Sequence, residues 1–265
     1  MKNSLSYKLY LSLLKYGSIL NVLGTVKSKD IILCYHDLGS NVWDFSVDKS
    51  EFEVQMNLLQ KKYNIVGISD LLNKQHKNTK PNAAVSFDDG YESVYKIAYP
   101  VLKKIGAAGT VFVIGSSKSN PNMSLKLLSI EQIKELHKNG WEIGWHTNKH
   151  VSSVNESKDS LYMDLKISKS AYEKKLGLKL NYFAYPFGKY NKNVETIVKK
   201  AGFLGAFTVD GDAIDLAKGI YRLSRVTVSK SITKQHFENL ITPIGLKINH
   251  FFTNGWKYAD YFLKR

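Results

Sequence analysis

The stretch Ala83-Ala84-Val85-Ser86-Phe87-Asp88-Asp89-Gly90 decides the fold class, because a β-type run leads directly into two acids and a glycine. This order is typical of a buried strand that ends in a polar turn. Similar short runs recur along the chain and alternate with helical patterns, which predicts βα units and a largely parallel sheet. The predicted strands are Ile31–Tyr35, Ala83–Phe87, Thr110–Ile114, Glu142–Trp145, Asn181–Tyr185, Leu204–Thr208 and Ser224–Val228.

Seven strands of this kind fit an α/β barrel. Residues 30–230 contain no linker rich in Gly, Ser or Pro and no internal repeat, so we predict one barrel domain there, with helical extensions over 1–29 and 231–265. Three helix starts are predicted from capping boxes. These are Asp48 with Glu51 for a helix over Phe52–Tyr63, Ser129 with Gln132 for a helix that Gly140 ends, and Ser153 with Glu156 for one that Gly177 ends.

The composition bounds the class of protein. With 265 residues, 43% of them hydrophobic, the chain is able to bury a large core, which excludes a disordered protein. The longest stretch without a charged residue, Ile105–Ser117, is shorter than the roughly 18–20 residues of a membrane-spanning helix. Because Cys34 is the single cysteine, any metal site must use histidines and carboxylates.

The net charge of +15 allows two interpretations, an anionic partner or a lysine-rich surface. Both ends of the chain are basic and apolar, which is typical of helices at a membrane surface, although helices that pack on the domain show the same composition. No nucleic-acid-binding motif accompanies the charge, so we expect no nucleic-acid partner. The Met1–Gly24 segment is a poor signal peptide, because Lys15 interrupts its apolar run and no small-x-small cleavage site follows. We expect an envelope or membrane-peripheral location rather than a cytoplasmic one.

Polar residues follow most of the predicted strands. In βα barrels the catalytic side chains project from the carboxyl ends of the strands, so these residues are expected to converge on one face. They are His36, Asp37, Asp88, Asp89, His146, His150, Pro186–Gly188, Asp210, Asp212, Arg222 and Arg225.

The strongest combination joins the two histidines of His146-Thr147-Asn148-Lys149-His150 to the paired acids. Each motif alone has an ordinary explanation, either surface or core histidines or an exposed Asp-Asp-Gly turn. Adjacent carboxylates are costly to bring together without a cation, and two imidazoles with one carboxylate leave coordination positions open for water and substrate. The second aspartate is then free to act as a base.

With these motifs in place, the chain resembles the polysaccharide deacetylases of carbohydrate esterase family 4. The matching segments are Ser86–Gly90, His146–His150 and Phe183-Ala184-Tyr185-Pro186-Phe187-Gly188. The resemblance covers about residues 30–230 and implies a distorted (β/α)7-type barrel that removes N-acetyl groups from amino sugars. It also implies that Asp88 is the general base, and that Asp89, His146 and His150 hold a divalent metal.

Two family positions are altered. The arginine that usually precedes the proline of the third motif is replaced, since Ala184 and Tyr185 stand before Pro186; Arg225 or Arg222 is the candidate substitute. The Leu-x-His motif that supplies the general acid is also missing. A subgroup that includes poly-N-acetylglucosamine deacetylases opens instead with a Tyr-His strand, and Leu33–Asp37 resembles that version. His36 is then the candidate acid, although a strand-end histidine often only forms hydrogen bonds.

The resemblance extends to the ligands. It places substrate or oxyanion contacts at Tyr185, Pro186 and Phe187, whereas Trp43, Tyr91 and Trp145 are for the most part expected in the core. The donor set favours Zn²⁺, with Co²⁺, Ni²⁺, Mn²⁺ and Fe²⁺ as alternatives. The implied substrate is an N-acetylated glycan of the envelope or an exopolysaccharide. The alternatives are a lipid-linked N-acetylated sugar at the membrane and a non-catalytic glycan-binding protein on the same scaffold.

Overall fold

Seven parallel strands follow one another across the main sheet in the order β10-β1-β5-β6-β7-β8-β9 and curl into a half-barrel with helices around it. The computed structural model describes residues 5–16, 28–73 and 79–263, with side chains to residue 254. The strands of this sheet are β1 (Ile31–Tyr35), β5 (Asn82–Phe87), β6 (Thr110–Val113), β7 (Glu142–Trp145), β8 (Tyr182–Ala184), β9 (Gly205–Phe207) and β10 (Val226–Thr227). The predicted fold class is confirmed.

Every predicted strand is present, but the later ones are shorter than the sequence pattern indicated. The backbone bonds continue past the assigned ends, since Tyr185 N donates to Phe207 O at 3.0 Å and Val228 N donates to Cys34 O at 2.9 Å. Short pairs that the sequence did not indicate complete the β-structure. They are β2 (Asp37–Leu38) with β3 (Ser46–Val47), and β4 (Asn64–Ile65), which pairs with the start of β5.

Helices connect most of the strands and also precede the first strand and follow the last one. They are α1 (Leu5–Tyr16), α2 (Lys49–Lys62), α3 (Ile68–Asn73), α4 (Tyr99–Lys104), α5 (Ile130–Lys138), α6 (Lys158–Met163), α7 (Lys169–Leu176), α8 (Lys192–Lys200), α9 (Lys234–Leu240) and α10 (Pro243–Leu263).

The predicted helix starts had different outcomes. The capping box of Ser129 and Gln132 is confirmed. Asp48 does cap α2, but its carboxylate accepts from Ser50 N instead of forming the predicted box. The third start was wrong, because Ser153 lies buried in a short 3₁₀ turn and the cap of α6 is Ser157, whose hydroxyl accepts from Ser160 N.

Alternation along the strands divides the core into two layers. Residues such as Ile31, Leu33 and Tyr35 point outward and pack beneath the helices, whereas their neighbours point into the barrel. The same inward set continues to the carboxyl ends of the strands, so Cys34 and Ser86 lie on the face that leads to the site. The apolar interior consists of Ile32, Ala84, Phe112, Ala184, Phe207 and Leu223, with Ile68 and Leu71 at one end.

The terminal helices pack against one another beside the barrel. Tyr10 and Leu14 of α1 are buried against α9 and α10, and the Tyr10 hydroxyl donates to Asn249 Oδ1 at 2.7 Å. The opposite face of α1 leaves Leu5 and Leu9 exposed. Residues 17–27 of the predicted N-terminal extension lie outside the described residues. None of the described helices combines the length and apolar character needed to cross a membrane.

Candidate active site

The carboxyl ends of three strands, together with the residue before a fourth, bring the predicted site residues together. Asp88 and Asp89 follow β5, His146 follows β7 and His36 follows β1, while Arg225 directly precedes β10. Asp88 and Asp89 are 3% and 2% exposed, and His146 is 1% exposed. Parallel strands place their ends at one edge, which is why residues far apart in sequence share this small volume.

Asp88 is held by Arg225. The guanidinium Nη1 donates to Asp88 Oδ1 at 2.6 Å, and Nη2 donates to Oδ2 at 2.8 Å, a bidentate pair between two buried side chains. Arg225 Nε donates to Thr208 O at 3.1 Å, which fixes the plane of the fork. Burial alone raises the pKa of Asp88, but the Arg225 charge outweighs it and holds that pKa well below its ordinary value. Asp88 is therefore an anion throughout the neutral range.

Asp89 faces two imidazoles. Its Oδ1 lies 3.2 Å from His150 Nε2 and 3.6 Å from His146 Nε2. The three side chains present one ligand atom each, and all three atoms lie within 4.8 Å of one another. Asp89 Oδ1 is buried and has no hydrogen-bond partner in the described part of the chain. A buried carboxylate oxygen without a donor, beside two ring nitrogens, fits a divalent cation.

The tautomer of His146 agrees with that use. Its Nδ1 lies 2.8 Å from Ala184 O, so this nitrogen carries the proton and Nε2 presents its lone pair to Asp89. Burial and the Asp88 charge raise the pKa of Asp89 to about 8, whereas burial and the His146 ring lower the pKa of His150 to about 3. Neutral imidazoles present the lone pairs that a cation needs. A bound cation would also supply the positive charge that the buried Asp89 carboxylate lacks.

A second group of candidate ligand atoms, from Cys34, His36 and Asp88, lies beside the first. Both oxygens of Asp88 are already engaged by Arg225, whose charge opposes a cation there. The Cys34 thiol lies 3.5 Å from Asp88 Oδ2 and donates to it. The favourable position for a metal is therefore the Asp89 group.

The loops at the site adopt unusual backbone conformations. Asp89, Thr147, His150 and Phe187 all have φ between 47° and 68° although none is a glycine. Such left-handed residues cost free energy and persist where surrounding contacts fix them, as at functional sites. The Thr147 hydroxyl accepts from His150 N at 2.9 Å and holds one of these turns.

His36 lies in an aromatic niche next to this centre. Its ring centroid is 4.8 Å from that of Phe45 and 5.7 Å from that of Trp43. Burial lowers the pKa of His36 to about 4, although the Asp88 charge opposes this shift. Its Nδ1 is buried without a hydrogen-bond partner among the residues described.

Three predicted residues lie differently from the others. Arg222 does not reach Asp88, because its Nε lies 3.8 Å from Glu195 Oε2 on α8. Tyr185 is fully buried and its hydroxyl donates to Tyr221 O at 2.9 Å, so it belongs to the core rather than to a substrate surface. Pro186 is also buried. Phe187, in contrast, is 57% exposed, and its ring centroid is 4.9 Å from that of His150.

Sequence reasoning did not identify Asp164. Its carboxylate accepts from Asn148 N at 2.9 and 2.8 Å and from Trp145 Nε1 at 3.2 Å, and so anchors the loop between the two histidines. Asp164 lies in the helical segment between α6 and α7, where an acidic residue looks like any solvent-exposed side chain. No local sequence signal marks it.

Comparisons with known proteins agree with this geometry. The family model described as polysaccharide deacetylase matches residues 75–206, which include Asp88, Asp89, His146 and His150 but not His36 or Arg225. YxkH of Bacillus subtilis, which is named for the same family, is 30% identical over 210 residues, or 78% of this chain and 74% of YxkH.

Two further relatives are informative. The poly-beta-1,6-N-acetyl-D-glucosamine N-deacetylase of Staphylococcus aureus (strain MSSA476) is 29% identical over 216 residues, or 77% of this chain and 73% of that protein. The solved structure of IcaB from Ammonifex degensii superposes with a TM-score of 0.69 at 26% identity, covering 82% of this chain and 97% of IcaB.

Proposed function

The chain belongs to the polysaccharide deacetylase family, and from this premise we propose that it is a metal-dependent hydrolase that removes N-acetyl groups from amino sugars of an exopolysaccharide. One observation carries the proposal: an aspartate locked as an anion by Arg225 stands directly beside a carboxylate and two imidazoles arranged for a cation. A protein that only bound glycans would have no use for this juxtaposition.

We assign Asp89, His146 and His150 to the metal. A divalent cation bound there supplies Lewis acidity toward the amide carbonyl and lowers the pKa of a water molecule. The donor set suits Zn²⁺, and Co²⁺, Ni²⁺, Mn²⁺ or Fe²⁺ are accepted by the same ligands.

Asp88 then acts as the general base. Its low pKa makes it a weak base, so it takes a proton from water only as the attack on the carbonyl develops. The Arg225 fork uses one lone-pair position on each oxygen, and a carboxylate oxygen keeps a second one for that proton. Arg225 therefore orients Asp88 and still leaves a lone pair of the carboxylate free to accept the proton.

Two roles remain, protonation of the departing amine and stabilisation of the oxyanion, and we assign them to His36 and to the turn at Phe187. The departing amine needs a proton, which we assign to His36; its lowered pKa makes the protonated ring a strong acid, and the negative charge of the tetrahedral intermediate favours protonation. A backbone N–H near Phe187 is the candidate oxyanion donor.

The substrate class follows from the relatives. The Staphylococcus aureus protein is named for poly-beta-1,6-N-acetyl-D-glucosamine, and we propose the same type of polymer for this chain. The test is acetate release from β-1,6-linked N-acetylglucosamine oligomers, with and without chelator, followed by re-addition of each candidate metal.

Release that stops on chelation and returns with metal supports the proposal. Stoichiometric metal without release from any oligomer would favour a lipid-linked sugar, and neither metal nor release would leave the non-catalytic glycan-binding protein.

The role of His36 gives a separate prediction. We expect His36→Asn to lower kcat on the oligomers by about 10²-fold, the lower end of the range for acid–base catalysis. Hydrolysis of 4-nitrophenyl acetate should be much less affected, because its leaving group departs without protonation. A kinetic comparison of the two substrates checks this; equal losses on both would show that His36 is not the acid.

We further propose that α1 gives the protein peripheral contact with a membrane surface in the cell envelope. The exposed residues Leu5, Leu9 and Leu13 lie on one face of α1, with Lys8 and Lys15 in the same helix. Co-sedimentation with anionic vesicles should decrease in the variant Leu9→Glu and at high salt. Binding that ignores both changes would contradict this contact.

A further inference from the structure

A cavity of about 150 Å³ lies between α1, α10 and the end of β10, beside the catalytic face but separate from it. Aromatic rings of Tyr10, Phe45 and Phe252 line it together with polar side chains of Thr227, Asn249 and Thr253. None of these residues falls within 75–206, the part of the chain that the family model matches. The terminal helices α1 and α10 therefore build this cavity together with Phe45 and Thr227 of the barrel.

We infer that the cavity is a subsite for a second amino-sugar ring of the same glycan chain, an inference that rests on the proposed function. Phe45 lies between the cavity and the candidate active site, because it lines the cavity and its ring centroid lies 4.8 Å from that of His36. Thr227 pairs with Cys34 in the register of β10 and β1 and comes two residues after Arg225. A polymeric substrate presents a neighbouring ring on at least one side of the ring that reacts.

The lining has the chemistry that binds a sugar. Pyranose rings place their C–H faces on aromatic side chains while their hydroxyls exchange hydrogen bonds with polar groups at the edge. Here Tyr10 and Phe252 form a continuous aromatic wall, with ring centroids 5.4 Å apart. Thr227 and Thr253, whose side chains carry hydroxyl groups, are among the lining residues.

The wall is also fixed in advance. The Tyr10 hydroxyl donates to Asn249 Oδ1 at 2.7 Å, and Asn249 Nδ2 donates to Gly211 O at 2.8 Å. This chain of bonds joins α1, α10 and the loop after β9, so little ordering is left to occur on binding. A cavity of about 150 Å³ accepts a six-membered ring the size of benzene, which corresponds to a pyranose ring without its exocyclic groups.

The test fills the cavity. The quantity measured is kcat/KM for a β-1,6-linked N-acetylglucosamine pentamer divided by kcat/KM for 4-nitrophenyl acetate. We expect Thr253→Phe to lower this ratio about tenfold, because the new side chain occupies the cavity and the sugar ring loses its contact with the aromatic wall. The matched control is Thr196→Phe on the exposed face of α8. Phe252→Leu, which removes part of the aromatic wall without filling the cavity, should shift the ratio in the same direction. An unchanged ratio in both cavity variants, with melting temperatures near that of the wild type, would overturn the inference.

Binding measured without turnover separates this inference from the proposed function. Calorimetry with the fully deacetylated glucosamine pentamer should give a Kd about tenfold weaker for Thr253→Phe than for Thr196→Phe. If the protein releases no acetate but shows this difference, the deacetylase assignment fails and the cavity remains a sugar site. If it deacetylates the pentamer and the two variants bind equally, the cavity is not a subsite.

Discussion

Asp88→Asn should lower kcat on N-acetylglucosamine oligomers by about 10³- to 10⁴-fold while the protein keeps its metal. The amide has nearly the shape of the carboxylate but does not accept the proton that attacking water must lose. Because Asp88 lies outside the proposed ligand set, metal content measured by mass spectrometry should stay close to one ion per chain. Hydrolysis of 4-nitrophenyl acetate should fall as well, since water attack on the ester needs the same base.

The contrasting variant is Asp89→Asn, which removes the only charged group of the proposed ligand set. It should lose metal as well as activity, and added metal should restore part of the activity. If Asp88→Asn lost its metal and Asp89→Asn kept it, the two assignments would have to be exchanged. Circular dichroism of Asp88→Asn is needed alongside, because the buried Arg225 charge then faces a neutral amide.

The sequence predicted the positions of the strands and of the metal-ligand motifs because both depend on local order. A β-type run that ends in Asp88 and Asp89 must place them at a strand end, whichever helices surround it. The spacing of His146 and His150 is equally local. What connects these motifs is the parallel sheet, and the strand pattern already implied it.

The sequence alone did not show whether Arg222 or Arg225 contacts Asp88. Both lie near the same strand, and the answer depends on which side chain points into the barrel. Side chains alternate between faces, and Arg225 comes three positions after Arg222, an odd offset that puts the two side chains on opposite faces. Only the register of β1 with β10 places Arg225 inside the barrel, next to Asp88. Asp164 and the cavity at α1 were missed for a related reason, since both depend on contacts between distant segments.

The pair of Arg225 and Asp88 gives the largest expected effect on stability. Replacing the buried arginine by methionine, Arg225→Met, should lower the free energy of unfolding by about 3–5 kcal/mol, because a buried carboxylate is left without its cationic partner. The measurement is urea denaturation of both proteins at several pH values. Activity should fall too, because nothing then orients the base.

The pH dependence has a definite sign. In the wild type, Arg225 lowers the pKa of Asp88 below its unfolded value, so the pair stabilises the fold fully above about pH 4 and less as the pH falls further. In Arg225→Met, burial without a cation raises that pKa, and protonation at low pH relieves the penalty. The difference in stability between the two proteins should therefore be largest near neutral pH and shrink toward pH 3.

Two further variants separate charge from geometry. Arg225→Lys keeps the charge but loses the fork, so it should recover part of the stability and less of the activity. The double variant Asp88→Leu with Arg225→Met removes both charges and should be more stable than the sum of the single changes indicates. Strict additivity would mean that the two side chains do not act as a pair. Cooperative recovery would show that Arg225 and Asp88 act as a pair, and an apolar pair as stable as the wild type would show that the fold itself does not need the two charges.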